Sequence, residues 1–183
     1  YMYYMLQNCT ELKIARVFFK EPTEKHYLKE ISRKSGVAHT SIYKILKLLK
    51  KELIINESIE KKGKRKFPIF SSNLESISYK DYKKINNLLE IISSGVVIFL
   101  RDKLMPNSIV LFGSYARGED VEDSDIDLFL ECSSEKIDLS GFEKILGRKI
   151  QIHFKEKFSK YSTELKNNIV NGIILYGYLG AFK

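Results

Sequence analysis

The chain has 183 residues, 44% of them hydrophobic, and a formal net charge of +8. That length allows one ordinary domain or two small ones, and that apolar share builds real cores and excludes global disorder. No apolar run reaches membrane-spanning length; the best, Val96–Leu100, is far too short, so no membrane partner is expected.

The charge is uneven. Residues 1–78 hold 16 Lys/Arg against 8 Asp/Glu, whereas the remainder holds 15 of each. All the excess positive charge therefore lies in the first segment, which points to a polyanion partner there; a solvated lysine-rich surface is the plainer source of the same asymmetry. Cys9 and Cys132 match no metal spacing and are expected to be free thiols in a reducing cytoplasm, which is the predicted location. The opening Tyr1-Met2-Tyr3-Tyr4-Met5 lacks the basic region and long apolar core of a signal peptide. Beginning on Tyr rather than Met, it is expected to be a processed or trimmed end.

In chain order, Thr10–Phe19 carries apolar residues at helical spacing, with Thr10 as its predicted cap and Pro22 just beyond its end. Tyr27–Lys34 predicts a second short helix with Leu28 and Ile31 inward, and Ser35-Gly36 a sharp turn. A third helix is predicted over about Ala38–Glu52, burying Ile42, Ile45, Leu46, Leu48 and Leu49. Strands are expected at Leu53–Ser58 and Phe67–Phe70, joined by a basic hairpin tip over 60–66 that turns at Gly63.

Three helices followed by a hairpin with a basic tip is the order of a winged helix-turn-helix, with the third helix in the recognition position. Its exposed positions include His39, Thr40, Ser41, Tyr43, Lys44 and Lys47, which can reach phosphates or base edges. Lys62, Lys64, Arg65 and Lys66 are placed to grip the backbone beside them. The segment resembles the winged-helix domains of prokaryotic transcriptional regulators, and the resemblance implies double-stranded DNA as partner. A small helical domain that binds protein instead remains open.

Ser71–Ser78 reads as a Ser/Asn-rich linker. A long amphipathic helix is predicted over about Tyr79–Lys103, with Tyr82, Ile85, Leu88, Leu89, Ile92, Val96, Phe99 and Leu100 on one face. That face is expected to be core or the seam of a homodimer; Ser93-Ser94-Gly95 is a candidate bend, and Pro106 ends the helix. The remainder alternates: strand Ser108–Phe112, a turn at Gly113-Ser114 into a short helix through Arg117, strand Asp125–Glu131, helix Leu139–Leu146, strand Lys149–Phe154, and a terminal helix Ser159–Asn171 with an apolar tail. The expected fold is mixed α+β. It comprises a winged helix-turn-helix over 1–75, a linker helix over 76–105, and a small α/β unit with a mixed sheet over 106–183.

The most informative stretch is Gly113-Ser114-Tyr115-Ala116-Arg117-Gly118, followed by Ser124-Asp125-Ile126-Asp127-Leu128. Alternating side chains on a strand put Asp125 and Asp127 on one face and Ile126 and Leu128 on the other. Two carboxylates this close repel unless a cation lies between them, and Mg²⁺ (or Mn²⁺) suits oxygen ligands while leaving room for phosphate oxygens. Gly113 permits a tight turn after the strand. Ser114 offers a hydroxyl and an N–H to phosphate, and Arg117 can neutralise phosphate or pair with an acidic neighbour.

Gly-Ser, ten intervening residues, then Asp-Ile-Asp-Leu resembles the signature of the DNA-polymerase-beta-like nucleotidyltransferase superfamily. With Arg117-Gly118, Ser124 and the Leu-Gly-Arg-Lys of 146–149, it looks like the minimal nucleotidyltransferases of prokaryotes. The resemblance implies metal-dependent transfer of a nucleoside monophosphate from a nucleoside triphosphate, releasing pyrophosphate. Asp125 and Asp127 would be catalytic and hold the metals, and Gly113, Ser114 and Arg117 would bind the nucleotide. It further implies a HEPN-type protein partner; in some such pairs the nucleotidyltransferase is the antitoxin and adenylylates a tyrosine of the toxin.

One position departs from that pattern. Where the family places a third carboxylate on the next strand, this chain reads Lys149-Ile150-Gln151-Ile152-His153, with Gln151 at the matching place. A neutral amide binds metal weakly and cannot act as a carboxylate base. His153, two residues on and on the same strand face, is a substitute to consider. Three readings stay open: a DNA-binding regulator that binds nucleotide, an active transferase acting on a protein, and a catalytically silent regulator or antitoxin.

Overall fold

The computed structural model describes residues 9–179, which fall into two units that meet within one helix, at Lys83 and Lys84. The Tyr-Met-Tyr-Tyr-Met start lies outside the described residues.

The first unit contains α1 (Thr10–Lys20), β1 (Lys25–Tyr27), α2 (Leu28–Ser35), α3 (His39–Lys51), β2 (Ile55–Lys62) and β3 (Arg65–Ser72). The strands form one antiparallel sheet in the order β1-β3-β2. Ile14, Phe18, Ile31, Ile42, Leu46 and Ile55, one or two from each packed element, make the core and are at most 2% exposed. Gly36 closes α2 in the left-handed conformation, which places α3 across α1 and α2 at the low steric cost that only glycine allows.

Several local expectations are corrected here. Thr10 does not cap α1: Cys9 occupies the N-cap without a side-chain hydrogen bond, and Thr10 is the first helical residue. Leu48 is 45% exposed, because the buried face of α3 runs through Ile42, Ile45, Leu46 and Leu49. The hairpin strands are longer than predicted, and pairing runs out to Lys62 opposite Arg65. The basic run is therefore strand rather than loop, and the turn itself is Gly63-Lys64, with Gly63 at φ +61°. Strand β1 lacks a local signature of its own; it exists because His26 and its neighbours pair with β3. Ser71 and Ser72 complete β3 and Ser78 is helical, which shortens the linker to 73–76.

The predicted long helix is two helices, α4 (Ile77–Ser94) and α5 (Val96–Leu104), broken at Gly95 with φ +79°. Its apolar stripe is not uniformly core. Tyr82, Ile85 and Ile92 are exposed, whereas Lys83, Asn86, Asn87 and Ile91 are buried. Polar residues can be buried when partners satisfy them, and in α4 that requirement overrides the hydrophobic pattern. Asn87 donates to the Tyr115 carbonyl at 2.9 Å and to Asp120 Oδ1 at 2.7 Å.

The second unit holds β4 (Ser108–Phe112), α6 (Gly113–Arg117), β5 (Ile126–Leu130), α7 (Ser140–Leu146), β6 (Ile150–Phe154), a 3₁₀ turn (Lys155–Lys160), α8 (Thr163–Val170) and β7 (Ile173–Gly177). The sheet order is β6-β5-β4-β7, with β5 and β6 parallel and the other pairs antiparallel. It is the expected mixed sheet, with one correction: the apolar tail is a strand, β7, hydrogen-bonded to β4. The terminal helix is correspondingly shorter and follows the 3₁₀ turn. All five residues of β4 are buried, as befits a central strand covered on both faces. Among the described residues no helix is long and apolar enough to cross a membrane, and neither Cys9 nor Cys132 is in a disulfide.

Candidate functional site

The central strand β4 delivers Phe112 opposite Asp127 of β5. The next residue, Gly113, takes φ +76°, and a Cβ built there would lie 2.5 Å from Asp127 Oδ2. Only a glycine fits both the backbone angle and the approach of the carboxylate. Asp127 is half-buried beneath this turn, and Asp125, just before β5, is exposed. Ile126 and Leu128 are wholly buried, as predicted, whereas Asp125 falls just outside the strand on which the alternation was expected. Ser114 is half-buried in the first turn of α6. Two carboxylates next to a glycine turn are oxygen donors of the kind a hard divalent cation takes.

Arg117 does not reach toward these groups. Its Nε donates to Glu119 Oε2 at 2.7 Å, with both side chains exposed. Of the two roles foreseen for Arg117, pairing with an acidic neighbour is the one the structure displays.

The loop from α6 to Asp125 is fixed by a residue that sequence reasoning did not single out. Arg148 pairs through Nη2 with Asp120 at 2.8 Å. Its Nη1 donates to the carbonyls of Glu122 (3.1 Å) and Ser124 (3.0 Å) and to that of Val121. The Arg148 guanidinium also lies 5.7 Å from the Tyr115 ring centre. Burial, with the charges of Glu90 and Asp120, pushes the Tyr115 phenol well above its ordinary pKa, so it stays neutral. The Leu-Gly-Arg-Lys run before β6 was the available signal; its role needed the loop's carbonyls in view.

On β6, Gln151 lies directly opposite Asp127 in the parallel register and is exposed. His153 occupies the same face, with Nε2 3.4 Å from Asp127 Oδ1.

In the first unit, His39, Thr40, Ser41, Tyr43, Lys44 and Lys47 are all exposed on α3, and Lys62, Lys64, Arg65 and Lys66 are exposed on the hairpin. His39 and Lys62 line one groove of about 860 Å³ together with Lys29 and Arg33 of α2. Lys29 and Arg33 were not anticipated, since their position beside the hairpin depends on packing. Glu21, His26 and Glu30 bring three potential ligand atoms within 4.8 Å of one another. Lys34 already bridges the two carboxylates there, which makes this cluster an ion-pair network.

Residues 95–176 match the family described as the nucleotidyltransferase domain. A candidate protein adenylyltransferase of Methanocaldococcus jannaschii is 38% identical over 100 residues, covering 50% of this chain and 97% of the relative. No solved structure matches the chain. On that match and that relative, this chain belongs to the nucleotidyltransferase domain family.

Proposed function

We propose that residues 106–183 bind a nucleoside triphosphate with a divalent cation and transfer its nucleoside monophosphate to a protein acceptor. In this reading residues 1–75 bind double-stranded DNA and 76–105 link the two. The single observation that supports the nucleotide reading is the approach of the Gly113 backbone to Asp127, which leaves a side-chain-free turn beside a carboxylate. Asp125 and Asp127 would hold Mg²⁺ or Mn²⁺. When bound, such ions neutralise phosphate charge and stabilise the attacking and leaving oxygens.

The residues of the chain do the rest. Gly113 and Ser114 receive the terminal phosphates through backbone N–H groups and the Ser114 hydroxyl. Arg148, by holding three carbonyls of the preceding loop, orients Asp125. Arg117, exposed beside the turn, exchanges Glu119 for phosphate. A protein acceptor is taken from the name of the archaeal relative. A HEPN-type partner follows from the resemblance of the motif, and homodimerisation would use the exposed Tyr82, Ile85 and Ile92.

Calorimetric titration of ATP, CTP, GTP and UTP, with and without Mg²⁺, tests this on the wild type and on Asp125→Asn/Asp127→Asn. Metal-dependent binding that disappears in the variant supports the reading; absence of binding by the wild type overturns it.

A second reading is favoured by Gln151: a catalytically silent regulator or antitoxin that acts through DNA and a partner. It predicts nucleotide binding without pyrophosphate release in the presence of any acceptor.

A further inference from the structure

The groove of the first unit that collects Lys29, Arg33, His39 and Lys62 also has two aromatic rings in its lining, Tyr27 and Phe67. The rings come from the sheet. Tyr27 of β1 pairs with Ile69 of β3, two residues from Phe67, so strand alternation puts Tyr27 and Phe67 on one face. Lys29 and Arg33 come from α2, spaced i and i+4, and share one side of that helix.

Most charges around the groove are matched. Lys34 bridges Glu21 and Glu30, and Lys62 pairs with Glu60 at 3.3 Å. Lys29 and Arg33, by contrast, have no carboxylate partner among the described residues. Tyr27 is held in place: its hydroxyl donates to Glu60, and Lys62 Nζ lies 4.6 Å from its ring centre. Phe67 is half-buried, yet its ring meets no other ring and no cation among the described residues. The one acid in the lining, Glu30, is already paired with Lys34 at 2.7 Å.

Two unmatched cations and an unstacked ring in one concavity have a joint chemical meaning. Cations gathered on a concave surface draw in an anion. A free ring face takes a planar group by stacking. The volume, about 860 Å³, lies within the roughly 300–1,000 Å³ of small-molecule sites. Duplex DNA supplies phosphates but keeps its base faces inside the stack, so it leaves the Phe67 ring unused.

We propose that this groove binds a free nucleoside di- or triphosphate, with the phosphates on Lys29 and Arg33 and the base against Phe67. The site belongs to the first unit, whereas Gly113 and Asp127 belong to the second, and its own cations take the place of a metal. His39 and Lys62 serve both this site and the DNA surface proposed above, so an occupied groove weakens the duplex contact. That consequence rests on the DNA reading; the site itself does not.

The test is calorimetric titration of the full chain carrying Asp125→Asn/Asp127→Asn, in EDTA, which silences the second unit. The probes are ATP, adenosine, inorganic tripolyphosphate and single-stranded oligothymidylate. The expected result is a single ATP per chain, with adenosine and tripolyphosphate each about tenfold or more weaker, since each keeps only part of the contacts. Adding Lys29→Gln/Arg33→Gln should lower ATP affinity about tenfold or more, the scale of lost charge-assisted hydrogen bonds, and leave adenosine unchanged. Phe67→Leu should lower ATP affinity about fivefold or more, the scale of a lost base stack, and leave tripolyphosphate unchanged. Lys29 and Arg33 are exposed, so their variant decides the matter even where Phe67→Leu folds poorly.

ATP affinity indifferent to Lys29 and Arg33, or tripolyphosphate bound as tightly as ATP, would overturn the site. ATP bound by the wild type with Mg²⁺ but not by the aspartate variant in EDTA would overturn it while the nucleotide reading of the second unit stands. Oligothymidylate bound more tightly than ATP would overturn the free nucleotide as occupant. Saturating ATP should also lower the variant's affinity for labelled duplex, and an unchanged affinity would overturn the shared use of His39 and Lys62.

Discussion

Arg148 and Asp120 pair at 2.8 Å with their side chains only 9% and 1% exposed, and the same guanidinium holds the carbonyl of Ser124, the residue before Asp125. The pair sets both the stability of the second unit and the path of the chain into the site. Removing one partner of a buried pair leaves an uncompensated charge, which costs about 3–5 kcal/mol. Arg148→Met should lower the second unit's unfolding free energy by that amount in urea titrations. The double variant Arg148→Met/Asp120→Leu should recover part of it, since no charge is left unpaired. Equal stabilities for the single variant and the wild type would rule out a stabilising role for the pair.

Gly113 and Gly63 offer a controlled comparison. Both have positive φ, but a Cβ at Gly63 meets nothing within 4 Å, whereas one at Gly113 meets Asp127 Oδ2 at 2.5 Å. Gly63→Ala should cost about 1 kcal/mol, from backbone strain alone. Gly113→Ala should cost more and abolish metal-dependent nucleotide binding, with circular dichroism near that of the wild type. Retained nucleotide affinity in Gly113→Ala would detach the turn from the site.

The exposed basic row on the hairpin makes a salt-dependent prediction. Fluorescence anisotropy of labelled duplex DNA against salt should show a steep log–log slope for the full chain. Neutralising Lys62, Lys64, Arg65 and Lys66 to Gln should flatten the slope by up to roughly 0.9 per lost phosphate contact. An unchanged slope and affinity would show that the hairpin does not touch DNA.

Gln151→Asp puts a carboxylate directly opposite Asp127. Pyrophosphate release with Mg²⁺ should rise above that of the wild type when a protein acceptor is supplied, because the added acid serves as both ligand and base. No rise would mean that another group already fills that role.

Acid lability in the first unit has a defined sign. A hydrogen bond from Lys34 is the main reason the Glu30 carboxyl is held below its ordinary pKa. A carboxyl depressed in the folded state adds stability above its unfolded pKa and loses it as pH falls through the folded one. Stability should therefore decline below the usual glutamate range, and Glu30→Gln should soften that decline in acid titrations followed by circular dichroism. Exposure of the network to solvent keeps the effect small.

Much of this architecture was legible along the chain. Pro22, Gly36 and Gly113 mark helix ends and a turn through their own backbone limits, and the Ile/Leu spacing of α3 names most of its buried face. Asp125 and Asp127 were readable as a pair because strand alternation is a local rule. Less was legible wherever a residue's fate hangs on a distant partner. Strand β7 looks like an apolar tail until β4 supplies its hydrogen bonds. Leu48 fits the helical period but falls just outside the packed face.

The sequence by itself determined the class of chemistry: two carboxylates after a Gly-Ser turn and a basic first segment. Those are properties of residue type and short spacing, which covalent geometry transmits directly. Only the tertiary structure decided that Asn87, Asp120 and Arg148 form one buried polar network, and that His153 rather than Gln151 turns its side chain to Asp127. Burial of polar groups requires partners brought together from far along the chain, and no local pattern encodes who those partners are.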